Sequence, residues 1–242
     1  MTRWARLTWQ AAEPGAFAAA LGARLGVAAN PGVRPDTHTL DLGTALLEVR
    51  GWVRESPTDA PHAGGRLMLE PVPGGEPAPE DVDPAATRPL RLVGIGWATV
   101  ELDRAEDELG MWLGDGAGEP GGVGVPPEAS DPHLGAFSRV RSAGGLPGDS
   151  FVLLEPRTEG RLAASLARDS EGPCALYLRP AVGLGAWSAA ARERGVRLSA
   201  RRAGPLGMEV LLVGGPIAGP HLLVVNARRS SKRNAAAGTI AP

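Results

Sequence analysis

Polar side chains alternate with apolar ones along several predicted strands in the second half of the chain. In segment 174–179, for example, Ala175, Tyr177 and Arg179 share one face, and the residues between them form an apolar face. The mixed faces of such strands give six candidate ligand-binding residues: Arg139, Arg141, Tyr177, Arg179, Glu209 and His221. Arginine suits bidentate contacts with carboxylate or phosphate, and tyrosine offers both a ring face and a hydroxyl. The pattern predicts a site for a small organic anion; solvated edge residues of an arginine-rich chain are the alternative.

Other reactive residues give little support for covalent or metal chemistry. Cys174 is the only cysteine, which excludes an intrachain disulfide and a cysteine-based zinc cluster. No histidine is near it in sequence, so a nucleophilic role is unsupported. His38, His62 and His133 lie in or beside predicted loops, without the spacing of a histidine metal motif. We expect no metal and no cofactor.

Composition narrows the class of protein. The 242 residues include 25 basic and 27 acidic ones, for a formal charge of −2, which predicts no nucleic-acid partner. No apolar run approaches the roughly 18 residues of a membrane span, and no apolar region follows the charged start, so we expect neither membrane association nor a signal peptide. These features predict a soluble cytoplasmic protein.

Three stretches of the chain follow one order of strand, helix and further strands. The predicted helices are 14–25, 103–113 and 184–194, with a fourth helix, 160–168, between the second and third units. The predicted strands are 6–11, 38–42, 45–53, 66–70, 92–100, 134–141, 151–155, 174–179, 196–200, 208–213 and 221–225. Residues 73–90 are rich in proline and acid and indicate a linker, 115–132 indicate a long loop, and 227–242 indicate a disordered basic tail.

The repeated unit resembles the vicinal oxygen chelate superfamily, which includes glyoxalase I, methylmalonyl-CoA epimerase, extradiol dioxygenases and bleomycin-resistance proteins. The segment LVGIGWATVELDRAEDELGMWLG is similar to the opening strand and helix of the family, and residues 151–226 are similar to its module junction and second module. The resemblance implies an α+β fold in which βαβββ modules form a curved mixed sheet, or cup, with helices on its outer face. It further implies a divergent unit at 1–72 and a pair of modules at 91–226.

The same resemblance implies where metal ligands would lie, on the first and last strands of each module. The matching positions here are Leu92, Val152, Ala175 and Leu223, none of which can donate an electron pair. A shift of one residue at the third position reaches Cys174, which is a single ligand, whereas a divalent ion needs about three or more. The resemblance therefore implies a family fold without the usual metal site.

In the first unit, alternation places Arg6, Thr8 and Gln10 on one face and Glu48 and Arg50 on a neighbouring one. Glu48 resembles the carboxylate ligand of the family, but a set of surface ion pairs explains this face as well. Any metal in this unit would be expected at Glu48 with His38 or His62.

Two functions follow. The first is a metal-free member that binds a small organic anion in the cup; the alternative is a metal-dependent lyase, isomerase or dioxygenase of the glyoxalase type. We expect units two and three to pair and the first unit to pack alongside or to form a homodimer, while pairing of units one and two is the other arrangement.

Overall fold

The computed structural model describes residues 5–32, 34, 36–42, 45–51, 66–71, 89–113, 129–142, 150–214 and 220–227. Three predicted features lie outside this part: the linker apart from its last two residues, the tail apart from its first residue, and His62.

The first sheet contains β1 (Ala5–Ala11), β2 (Ala29–Pro31), β3 (Thr37–Asp41), β4 (Leu46–Gly51) and β5 (Arg66–Pro71). The second contains β6 (Leu90–Ala98), β7 (Ala129–Asp131), β8 (Ala136–Ser142), β9 (Ser150–Pro156), β10 (Gly172–Pro180), β11 (Arg202–Gly204), β12 (Gly207–Leu211) and β13 (His221–Ala227). The helices are α1 (Pro14–Leu25), α2 (Leu102–Leu113), α3 (Arg161–Asp169) and α4 (Leu184–Glu193).

The first sheet contains one βαβββ module with an added strand. Its order is β2-β3-β4-β1-β5, with β1 parallel to β4 and antiparallel to β5. Helix α1 begins with proline at its first turn and ends at Gly26, which has a φ of 75° that favours glycine. Strand β5 lies at the edge of this sheet beside β1, and the homodimer expected from the first unit remains a prediction.

The second sheet contains two βαβββ modules side by side. Its order is β11-β12-β13-β10-β6-β9-β8-β7, and the two modules meet where β6 and β10 run antiparallel. Within each module the first and last strands are parallel, β6 with β9 and β10 with β13. The sheet curves until β11 and β7, its two edges, come into contact. The prediction of βαβββ modules in a curved mixed sheet is confirmed.

The sequence analysis missed the same strand in all three modules. Strands β2, β7 and β11 are the second strand of their modules, lie at sheet edges and have three residues each. A segment this short shows no readable alternation of polar and apolar residues. The predicted strand at 196–200 was also wrong in extent, since only Leu198 forms an isolated bridge there, with Leu212.

Two apolar cores lie on opposite faces of the second sheet. The outer core is continuous from the first sheet, through Leu7 and Trp9, to the outer side of the second sheet and to α2 and α4. The inner core lies on the concave face and includes Val152, Ala175 and Leu223. Helix α3 contributes Leu162 to this inner core, so it differs from the other helices, which were correctly expected on the outer face.

Within the described ranges no helix is both long enough and apolar enough to cross a bilayer.

Candidate functional site

The concave face of the second sheet is organised in rows across neighbouring strands. Pairing aligns Val152, Gly96, Ala175 and His221, and the next row aligns Gly94, Tyr177 and Leu223. A β-carbon on Gly96 would lie 2.7 Å from the Ala175 β-carbon and 3.3 Å from Cε2 of Tyr177. Glycine at this position therefore lets the tyrosine ring lie across β6 inside the cup.

Tyr177 and Asp131 form a buried hydrogen bond across the cup. The tyrosine hydroxyl donates to Oδ2 of Asp131 over 2.8 Å, and neither side chain is exposed. Oδ1 of Asp131 accepts from the backbone amides of His133 and Leu134 at 2.9 and 3.0 Å. Burial and the nearby Asp131 charge raise the pKa of Tyr177 well above its usual value of 10, so the hydroxyl keeps its proton.

Glu209 lies on β12 of the same face and is fully buried. Neither of its carboxyl oxygens has a hydrogen-bond partner among the described residues, and the carboxyl group packs against Gly204 of β11. Burial, and secondarily the charge of Asp131, raise the pKa of Glu209 from 4.5 to about 9. Glu209 is therefore a neutral carboxylic acid at pH 7 and can donate a hydrogen bond.

His133 joins the two edges of the curved sheet. Its Nε2 lies 3.3 Å from the carbonyl oxygen of Glu209, and its Nδ1 lies 3.3 Å from Oγ of Ser199. Ser199 Oγ in turn accepts from the backbone amide of Leu211 at 2.9 Å. Burial lowers the pKa of His133, which favours the neutral form of the ring.

His221 lies on β13, at the side of the cup that faces α3. It is 8 % exposed, and its Nε2 has no hydrogen-bond partner within the described part of the chain. Burial, together with the charges of Arg161 and Arg168, lowers the pKa of His221 from 6.5 to about 4. The imidazole is thus neutral at pH 7, with a free ring nitrogen beside two arginines of α3.

The structure brings together Tyr177, Glu209 and His221, but the placement of two predicted arginines was wrong. Arg139 and Arg141 lie on the outer face, where Arg139 Nη1 is 2.5 Å from Asp103 and 2.9 Å from Glu106 of α2. Arg141 also pairs with Glu106. The assumption that the mixed face of a strand lines the cup fails on β8, because α2 supplies carboxylates that neutralise these arginines.

Arg179 takes a less central position than Tyr177. It is half-buried near the end of β10, directly opposite Arg91 of β6. Strand alternation places it on the same side as Tyr177, so it lies at the rim of the cup.

The sequence analysis missed Asp131 and His133. Asp131 fell in the predicted loop 115–132, because the three-residue strand β7 carries no alternating pattern. The available signal was the turn sequence Asp-Pro-His, in which an aspartate accepts hydrogen bonds from the backbone two and three residues ahead. Nothing in the sequence showed that the same carboxylate meets Tyr177.

The metal position considered in the first unit does not form from His38 and Glu48. His38 pairs with Val49 and packs against Gly15 of α1, whereas Glu48 pairs with Thr39 and Thr8. Successive residues of a strand face opposite sides, so the two side chains diverge. Glu48 has other partners within the chain. His62 lies outside the described residues.

Comparisons with known proteins give a result at the level of fold. No family model and no curated protein matches this sequence. Among solved structures, a triple mutant of 4-hydroxymandelate synthase from Streptomyces coelicolor is similar with a TM-score of 0.56 and 12 % identity, over 93 % of this chain and 92 % of that one. Methylmalonyl-CoA epimerase from Mycobacterium tuberculosis has a TM-score of 0.45 and 22 % identity, over 55 % of this chain and 85 % of that one. A Streptomyces coelicolor methylmalonyl-CoA epimerase variant in complex with 2-nitronate-propionyl-CoA has a TM-score of 0.42 and 21 % identity, over 58 % and 100 % of the two chains. With its module topology, the chain therefore has the glyoxalase-like fold of the vicinal oxygen chelate superfamily.

Proposed function

We propose that the chain is a metal-independent member of this fold that binds a small organic anion in the cup. The observation that carries the proposal is the chemistry of the positions that match the metal ligands of the family. Val152, Ala175 and Leu223 are fully buried and apolar and pack together on the concave face. The fourth position, Leu92, was wrongly expected in the cup, because its side chain is buried in the outer core on the opposite face of the sheet. In the described ranges, no three histidine, cysteine, aspartate or glutamate side chains are grouped closely enough to hold a metal ion. These residues do not fit a divalent cation, which needs about three or more protein ligands.

The polar groups of the cup are suited to an anionic guest. Glu209, which is protonated at pH 7, keeps this part of the cup uncharged, although its carboxyl group is enclosed against Gly204. Neutral His221 offers a ring nitrogen with no partner in the described structure, and exposed Arg161 adds a positive charge beside it. Tyr177 supplies an aromatic wall, and Arg179 lies at the rim. We infer that the guest has an anionic group near His221 and an apolar part against the inner core.

Calorimetric titration with a panel of small carboxylates and phosphates tests the proposal. We expect His221→Gln and Arg161→Gln each to weaken binding about tenfold or more, the effect of losing one hydrogen bond to a charged group. Arg141→Gln is the matched control, because it removes the same charge from the outer face of the sheet. Absence of binding throughout the panel, or equal affinity in all three variants, would contradict the proposal.

A further inference from the structure

Three arginine side chains lie near the C-terminal ends of α1 and α4, outside the cup. Arg24, in the last turn of α1, donates from Nη2 to the carbonyl oxygen of Val213 over 3.1 Å. The guanidinium group of Arg197 packs against Gly214, the next residue after Val213. The guanidinium group of Arg194 packs against Gly26, where its Nη2 lies 3.1 Å from the position that a β-carbon would take. We call these three residues the arginine cluster.

The glycines in contact with the arginine cluster have backbone conformations that disfavour other residues. Gly26 has a φ of 75° and Gly214 a φ of 70°. A side chain at either position would also displace the guanidinium group that packs against it. Glycine at these two turns thus leaves room for the guanidinium groups of Arg194 and Arg197 to lie directly on the main chain. Of the two, Arg197 is close enough for its charge to lower the pKa of Arg24.

The charges of the arginine cluster are not balanced by carboxylates. Among the residues that the structure describes, none of the three arginines has an ion-pair partner. The segment 215–219 that follows Gly214, Gly-Pro-Ile-Ala-Gly, contains no acidic residue in its sequence. Burial and the charge of Arg197 both lower the pKa of Arg24. The C-terminal ends of two helices contribute only about −0.5 charge each, against three positive charges. The excess is therefore about two positive charges.

We propose that the arginine cluster binds a phosphate-type dianion, either free or as the phosphoryl group of a larger molecule. The planar guanidinium fork matches the oxygens of a phosphate, and a dianion would neutralise the excess charge. Arg194 and Arg197 are exposed, so an anion can reach them from solvent, and Arg24 is already held in place by Val213. The arginine cluster shares no residue with the cup. This second anion site is therefore independent of the proposed function.

Titration of the full chain with inorganic phosphate and with pyrophosphate, at constant ionic strength, tests the proposal. We expect both anions to bind, and either Arg194→Gln or Arg197→Gln to weaken binding about tenfold. Arg201→Gln is the matched control, since it removes an exposed arginine near Gly185, at the opposite end of α4. His221→Gln should leave this binding unchanged, which separates the arginine cluster from the cup.

Sedimentation with phosphatidylcholine vesicles, with and without phosphatidic acid, distinguishes the source of the phosphoryl group. Binding of the free anions indicates a dissolved ligand, and binding only to vesicles that contain phosphatidic acid indicates a lipid headgroup; either result supports the proposal if Arg197→Gln weakens it. The proposal is overturned if no probe binds, or if Arg201→Gln weakens binding as much as Arg197→Gln does.

Discussion

Replacing Glu209 with glutamine should remove a loss of stability that the wild-type chain undergoes as the pH rises above neutrality. The pKa of Glu209 is raised from 4.5 in the unfolded chain to about 9 in the folded one, so the folded state holds a proton that the unfolded state releases. The stabilisation that this proton provides is complete below pH 4.5. It decreases as the pH rises above 4.5 and is lost once the pH has passed 9. The loss of this stabilisation is about 3 kcal/mol at about pH 7, and it grows by about 2–3 kcal/mol more from about pH 6.5 to about pH 8.5.

His221 contributes a pH dependence of opposite sign. Its pKa is lowered from 6.5 to about 4, so its contribution to stability is complete above pH 6.5 and is lost as the pH falls through 4. His133, whose pKa is also lowered by burial, adds to the same trend. In the wild type the Glu209 and His221 trends oppose each other in weak acid, and between about pH 6.5 and about pH 8.5 the fall due to Glu209 dominates.

Denaturant unfolding of both proteins at a series of pH values measures this difference. We expect the free energy of unfolding of the Glu209→Gln variant to be level from about pH 6.5 to about pH 8.5, where that of the wild type decreases. Glu159→Gln, which removes an exposed carboxylate between β9 and α3, is the control and should behave as the wild type does. A wild-type protein of constant stability from about pH 6.5 to about pH 8.5 would contradict the burial of an unpartnered Glu209.

Replacing Asp131 with alanine should destabilise the folded protein by about 3–5 kcal/mol. The fully buried carboxylate accepts hydrogen bonds from two backbone amides and from the hydroxyl of Tyr177. Hydrogen bonds to a charged group each contribute about 1.5–3 kcal/mol, and the substitution would leave a buried tyrosine hydroxyl without an acceptor. Urea unfolding at about pH 6 measures the loss.

Asp131→Asn separates the shape of the turn from the charge. The amide oxygen can still accept from the backbone amides of His133 and Leu134, so we expect a smaller loss of stability than with alanine. Because the charge of Asp131 helps to raise the pKa of Glu209, this variant should also show a shallower alkaline decrease in stability. A loss of stability below about 1 kcal/mol for Asp131→Ala is in the range of an ordinary surface substitution. Such a result would be inconsistent with the buried hydrogen bonds of Asp131 described above.

The sequence predicted the fold better than the site, for physical reasons that particular residues illustrate. Long strands such as β6 and β10 and helices such as α1 carry their own periodicity and end signals, so their modules could be recognised. The three-residue strands β2, β7 and β11 exist because longer neighbours offer them hydrogen bonds, and their own residues show no pattern.

For the site, alternation correctly grouped residues that share a face but could not decide which face is concave. Arg139 and Arg141 share one face of β8, yet that face meets the acidic residues of α2. The contact of Tyr177 with Asp131 joins positions 46 residues apart, and it depends on the curvature of the whole sheet. Such contacts arise from packing, which local patterns do not encode.

We propose that the cup holds neutral polar groups and apolar walls and no divalent metal ion. Elemental analysis of the chain, produced in medium supplemented with manganese, iron, cobalt, nickel and zinc, tests it most directly. Our account predicts far less than one equivalent of any of these metals in the wild type and the same low content in His221→Gln. One equivalent of a divalent metal in the wild type, lost in His221→Gln, would contradict it.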